Sequence, residues 1–254
     1  MNILIVGASR GLGASLTKFY AQDKDNHIFA TSRTSSTAES PEHITYVEGI
    51  DIASEDAGPS IVKRIKPSGK TLDVVIITAG YFATETFDKP DFDAEVQMYK
   101  ISSIGPVFIV HHLVKAGLMA KDGKIVLVSS ESGSITLRHE SEGGGNYGHH
   151  ASKAALNMAG KLLSLDLKAK GIAVGIVHPG FMRTEMTKGV GFDKYWDAGG
   201  AVTPDEAAAS LKQYISKLDM GSTGEYWAPR GPRDIGTAEP VLGKNLPTPL
   251  QLPW

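Results

Sequence analysis

Gly7-Ala8-Ser9-Arg10-Gly11-Leu12-Gly13 decides how the rest of the chain is read. It follows a short apolar run, Ile3 to Val6, and opens directly into an amphipathic segment, Leu12 to Ala21. Glycines in that place let the backbone turn sharply and approach a pyrophosphate, whose charge meets the free N–H groups and positive dipole end of a helix. A glycine-rich turn alone is a weak signal. Strand, glycines and helix in this order make a specific one.

The same alternation continues outward. Short β-branched runs at 27–31, 44–47, 74–78, 125–129 and 173–178 are each followed by longer amphipathic stretches. Continuous Val/Ile runs are what strands buried on both faces look like, so the pattern predicts a doubly wound parallel α/β sheet. Helices are expected over 54–65, 92–119, 147–170 and 204–218, the last with Thr203 as N-cap and Asp205 and Glu206 in its first turn. A last strand at 224–227 closes the sheet. No internal break looks like a boundary, so residues 1–228 read as one domain. The stretch 229–254 holds six of the 13 prolines and lacks periodicity, which reads as a coil extension packed on its own subunit or a neighbour.

Composition excludes more than it assigns. The chain has 254 residues, 28 acidic against 26 basic side chains, 28 glycines and no cysteine. Without cysteine there is no disulfide framework, no thiolate metal site and no thiol nucleophile. Near-neutral charge without a basic run argues against nucleic acid. No apolar stretch approaches the roughly 20 residues that span a bilayer, and the start shows no signal-peptide pattern. The expectation is a cytoplasmic protein that meets a small-molecule substrate, with no nucleic-acid or membrane partner.

The spacing G-x-x-x-G-x-G resembles the short-chain dehydrogenase/reductase superfamily. Asp51 follows the third strand, Thr78-Ala79-Gly80 ends the fourth, and Ser129-Ser130-Glu131-Ser132-Gly133 ends the fifth. Ala151-Ser152-Lys153-Ala154-Ala155 lies on the next helix, and His178-Pro179-Gly180 with Thr184 follows the sixth strand. The resemblance covers nearly all of residues 1–228 and is closest to C-factor-like and related fungal members. It implies a Rossmann fold and a nicotinamide dinucleotide held by Gly7, Ser9, Arg10, Gly11, Leu12 and Gly13, by Ser32 and Arg33, and by Asp51 and Ile52. Ala79, Gly80, Lys153, Pro179, Gly180, Met182 and Thr184 complete that implied set. Because the second strand ends Ala30-Thr31-Ser32-Arg33, with Arg10 in the glycine turn and no acid beside them, two guanidinium groups favour the 2′-phosphate of NADP(H).

The family's reductases hold the carbonyl oxygen with a Ser and donate a proton from a Tyr. A Lys four residues later grips the ribose, and an Asn anchors a water relay. The i, i+4 spacing puts the phenol and ammonium on one helix face. Ser130 and Lys153 match. The Tyr position is His149 and the Asn position is Ser102. Tyr147 is a possible substitute, although six residues turn through about 600° and leave it roughly 120° from the Lys153 face. Three roles stay open for His149. It is the replacement acid, weakened by the cationic Lys153 nearby, or the base or oxyanion donor of a non-redox isomerase, lyase or cyclase, or a structural residue in an NADP-binding pseudoenzyme.

The glycine-rich loop over 137–146 lengthens the interval between Ser130 and His149 and reads as a loose pocket rim carrying Arg138, His139, Glu140 and Glu142. His111-His112 and His149-His150 lack a third ligand at metal spacing, so no metal is expected. Residues 181–202 resemble the family's substrate lid, with Met182, Met186, Val190, Phe192, Tyr195 and Trp196 as an adaptable apolar wall. A moderately large, partly apolar carbonyl or alcohol is the implied substrate. By resemblance the subunits pair as a homodimer or homotetramer.

Overall fold

The computed structural model describes residues 1–34 and 41–254. Among the described residues eight strands form one sheet: β1 Asn2–Val6, β2 His27–Thr31, β3 Ile44–Val47, β4 Leu72–Ile77, β5 Met119–Val128, β6 Ala173–Val177, β7 Tyr226–Ala228 and β8 Leu250–Gln251. Their order is β3-β2-β1-β4-β5-β6-β7-β8. All neighbours are parallel except β7 and β8. Strand order reverses between β1 and β4, and the crevice at the carboxyl ends of those strands is where an open α/β sheet binds ligands.

Helices α1 Gly11–Ala21, α2 Ala57–Ile65, α3 Phe92–Tyr99, α4 Gly105–Lys115, α5 Tyr147–Leu167, α6 Glu185–Gly189, α7 Pro204–Lys217 and α8 Ala238–Leu242 surround the sheet. One face packs Ile61, Ile65, Ile109, Leu113 and Leu156 of α2, α4 and α5 onto the strands. The other packs Leu12, Leu16 and Tyr20 of α1 against Ala207, Leu211 and Ile215 of α7. Side chains buried on both faces explain why β1, β4 and β6 read as unbroken apolar runs.

Two expectations are corrected. The single helix over 92–119 is α3, a π-helical turn at Lys100–Ile104 and α4, and Met119 already begins β5. Pro106 has no N–H to offer the Ser102 carbonyl, which widens the turn there, and Ala116-Gly117 ends α4. The stretch 229–254 is more than coil. It contains α8 and the antiparallel edge strand β8, and it buries Ile235, Ala238, Leu250 and Leu252 with Leu137 and Tyr226 in a third apolar cluster. Alternation is too short in a two-residue strand to show in the sequence.

Candidate active site

The glycine turn closes tightly. A β-carbon at Gly13 would lie 2.1 Å from the Gly7 carbonyl oxygen, so no larger residue fits. Arg10, the residue before α1, is extended and its side chain caps nothing, and the N–H groups of Gly11, Leu12 and Gly13 have no partner among the described residues. Such a cradle of free donors at a helix start suits a pyrophosphate. It opens into a cavity of about 1220 Å³.

Every cofactor residue expected from sequence lines that cavity: Gly7, Ser9, Arg10, Gly11, Leu12, Gly13, Ser32, Arg33, Asp51, Ile52, Ala79, Gly80, Lys153, Pro179, Gly180, Met182 and Thr184. Arg10 and Arg33 are exposed on its wall, and neither pairs with a carboxylate among the described residues. Asp51 instead accepts a hydrogen bond from the Ala53 N–H at 3.0 Å, holding the turn after β3. The residues present fit a nicotinamide dinucleotide.

Ser130, His149 and Lys153 line the same cavity. Ser130 lies two residues past β5 in extended backbone, and its hydroxyl accepts from the Ser132 N–H at 3.2 Å. Lys153 is buried and donates to the Val128 carbonyl at 2.9 Å; burial pulls its ammonium down to about 8. His149 stands one turn before it on α5. Its Nδ1 is buried without a partner among the described residues, and its ring lies 4.2 Å from that of Phe82. Burial, then the neighbouring Lys153, His150 and Arg138 charges, push its imidazole down to about 3. The ring is therefore neutral at ordinary pH. An unpaired buried lone pair costs less than an unpaired N–H, which puts the proton on Nε2.

Tyr147 is the first residue of α5, 40% exposed, and lines the cavity near the rim glycine Gly144. Ser102 does not line the cavity: it is buried in the π-helical turn and its hydroxyl has no partner, while Gln97 and Ile101 take the wall. The rim is also firmer than glycine content indicates. Arg138 pairs with Glu131 at 2.5 Å and Glu142 at 3.2 Å, and His139 caps a short 3₁₀ turn at Glu140–Glu142. Arg138 and Glu142 line the cavity; His139 and Glu140 do not.

In the lid, Met182, Met186, Phe192 and Tyr195 face the cavity, and Phe192 meets Phe82 edge-on at 5.5 Å. Val190 lines a separate smaller cavity, and Trp196 turns inward, donating to the Thr187 hydroxyl at 3.2 Å beneath the Arg183 guanidinium. Among the described residues, no three His, Asp or Glu side chains gather closely enough to hold a metal ion.

Sequence reading missed four residues. Phe82 and Glu85 lie in the loop after β4, Tyr226 donates to the Ser130 carbonyl, and Asp234 comes from the supposed extension. The buried Asp234 carboxylate accepts from the Phe181 N–H and stands 3.5 Å from His178 Nε2, while His178 Nδ1 accepts from the Glu131 N–H at 3.0 Å. Burial opposes its ionisation, but the neighbouring His178 ring and the Phe181 N–H outweigh that and hold the carboxyl below its usual range. No periodicity marks any of the four.

A family model for short chain dehydrogenase matches residues 1–194. A 1-hydroxy-2-glutathionyl-2-methyl-3-butene dehydrogenase of Rhodococcus sp. (strain AD45) is 27% identical over 224 residues, 88% of this chain and 94% of its own length. Among solved structures, the carbonyl reductase Sniffer of D. melanogaster superimposes with a TM-score of 0.77 at 24% identity, covering 100% of this chain and 99% of its own. An NADPH-bound carbonyl reductase from chicken fatty liver gives 0.76 at 21% identity, covering 90% and 91%. Beside these likenesses, no helix among the described residues is long and apolar enough to cross a membrane.

Proposed function

The chain belongs to the short chain dehydrogenase family, and on that premise we propose that it is an NADP(H)-dependent oxidoreductase acting on the carbonyl or alcohol of a moderately large, partly apolar small molecule. One observation carries the reading. The free N–H cradle at α1, two arginines without a carboxylate partner among the described residues, and Ser130, His149 and Lys153 all face one cavity. The NADPH-bound carbonyl reductase of similar fold supports the cofactor choice. By resemblance we further read the chain as a relative of the C-factor-like and fungal branch that works in the cytoplasm as a homodimer or homotetramer.

The bound dinucleotide would supply or accept hydride. Arg10 and Arg33 would hold its 2′-phosphate, the α1 N–H groups its pyrophosphate, and Lys153 its ribose. Pro179, Gly180, Met182 and Thr184 would frame the nicotinamide. His149 takes the Tyr place: neutral, with its hydrogen on Nε2, it would donate a hydrogen bond to the substrate oxygen beside the Ser130 hydroxyl, and the proton that completes the alcohol would come from water at the cavity mouth. Two donors aimed where negative charge develops stabilise the oxyanion in a site that Phe82, Phe192 and Met186 keep apolar. Lys153, cationic below pH about 8, adds its charge from one helical turn away. Tyr147, at the rim, stays outside this constellation.

The test is loss of the NADPH absorbance band with a panel of aldehydes and ketones. Turnover by the wild type that falls strongly in His149→Phe is expected. No turnover by the wild type, with turnover gained in His149→Tyr, overturns the reading.

A further inference from the structure

The helix that carries His149 and Lys153 starts without help from its own sequence. Asn146 precedes α5 in the left-handed region with φ at 52°, its side chain makes no cap bond, and the first turn holds no acidic residue. A helix start in a folded protein needs partners for its free N–H groups. One comes from Glu85, 63 residues earlier in the chain. This carboxylate is buried, 5% exposed, and Oε1 accepts from the Gly148 N–H at 2.5 Å. Oε2 faces the Asp91 N–H at 3.4 Å. The Glu85 main chain brackets the same turn: its carbonyl accepts from the Asn146 N–H at 2.9 Å, and its N–H donates to the Asn146 side-chain oxygen at 3.3 Å.

Two further contacts join this clamp to the reacting group. Phe82, three residues before Glu85, stacks on the His149 ring. Gly148, the residue before His149, lies so close to α3 that a β-carbon would come within 2.5 Å of Met98 and 3.0 Å of the Glu95 backbone. Lys153 is held separately, by the Val128 carbonyl of β5. The first turn of α5 and the Lys153 turn thus have independent anchors.

We propose that Glu85 is a positioning residue: its carboxylate, bound to the Gly148 N–H, sets the first turn of α5 and with it the pose of His149 toward substrate, leaving the Lys153 grip on cofactor alone. The proposal rests on the reading of His149 as the group that faces the substrate oxygen.

The test compares Glu85→Ala with Glu85→Gln, whose amide oxygen still accepts the Gly148 bond. In the wild type the His149 ring protons, assigned by their loss in His149→Asn, are shifted upfield by Phe82. Glu85→Ala loses that shift, lowers kcat about 10-fold or more because misplacement of a reacting group is that damaging, and leaves NADPH affinity within about twofold. Glu85→Gln keeps the shift and most of the turnover. A general loss of structure would move both variants and NADPH binding together, which overturns the proposal, as does an unchanged His149 spectrum in Glu85→Ala. If Glu85→Ala does not fold, Glu85→Asp, too short to reach Gly148, takes its place with the same outcomes. A displaced His149 with unchanged turnover instead overturns the reading of His149, and with it the part of Glu85 in the reaction. The spectra decide the placement even if the wild type turns nothing over.

Discussion

His149 lies on Phe82 with ring centroids 4.2 Å apart and planes inclined by 33°, and the Nδ1 of that imidazole is buried without a partner among the described residues. Burial of the ring, and after it the cationic Lys153 one turn along the helix, disfavour imidazolium.

The first consequence is acid sensitivity. His149 is neutral in the folded chain down to about pH 3, whereas an unfolded histidine protonates near 6.5. The unfolded state therefore binds more protons across that window, and stability falls as pH drops through it, on the order of a few kcal/mol. Urea midpoints at pH 7 and pH 4.5 should diverge in the wild type and diverge less in His149→Phe. Equal divergence in both proteins removes His149 as the cause.

Lys153 gives the opposite end of the profile. Its ammonium, drawn down to about 8 by burial, is charged below that pH and neutral above it. Reduction should lose efficiency as pH rises through about 8, with no second limb between 5 and 7 from His149. Lys153→Met should abolish turnover yet raise stability by about 1–3 kcal/mol near neutral pH, because a buried ammonium with one protein partner is replaced by an apolar chain of similar length. A destabilised Lys153→Met would contradict the burial argument.

Cofactor choice rests on Arg33 and Arg10. Fluorescence titration should show tighter binding of NADPH than of NADH. Arg33→Ala should weaken NADPH about 10- to 100-fold, the worth of one charge-assisted contact to phosphate, and leave NADH nearly unchanged. Tighter NADH binding by the wild type would remove the assignment.

Tyr226 ties the chain terminus to the site. Its hydroxyl donates to the Ser130 carbonyl, its ring stacks on Trp254, and the Trp254 carbonyl accepts from Thr136. Tyr226→Phe should lose about 1–3 kcal/mol from one buried acceptor left unpaired. Deleting residues 250–254 removes β8 and exposes the cluster around Ile235 and Ala238, so its loss should exceed that of Tyr226→Phe. Thermal melts of the two variants check the order; a truncated chain as stable as the wild type would show that β8 is dispensable.

An apolar stripe supports pairing of subunits. Met158, Leu162 and Leu165 on α5, at i, i+4 and i+7, are 61%, 53% and 60% exposed, and Ile104 at the end of the π-helical turn and Phe108 on α4 lie exposed. Sedimentation should show a dimer or larger assembly that Leu162→Glu weakens; an unchanged mass distribution in the variant would exclude this face.

The amino-acid sequence alone determined the strand–helix alternation, the glycine turn, the parallel sheet and the i, i+4 relation of His149 to Lys153. Each of these is written in residues a few positions apart, where backbone geometry and burial periodicity act directly. The π-helical turn at Lys100–Ile104 was readable only in hindsight from Pro106, and it drew Ser102 away from the cavity. Tertiary structure decided what surrounds the reacting groups. Phe82 on His149, Glu85 on Gly148, Tyr226 on Ser130 and Asp234 on Phe181 join positions 50 to about 100 residues apart, through loops and the three-residue strand β7, whose composition carries no period. A carboxylate or phenol in such a segment looks solvated in the sequence. Only the packing of the loop after β4 and of residues 229–254 against the carboxyl ends of the strands buries these groups and gives each one a partner.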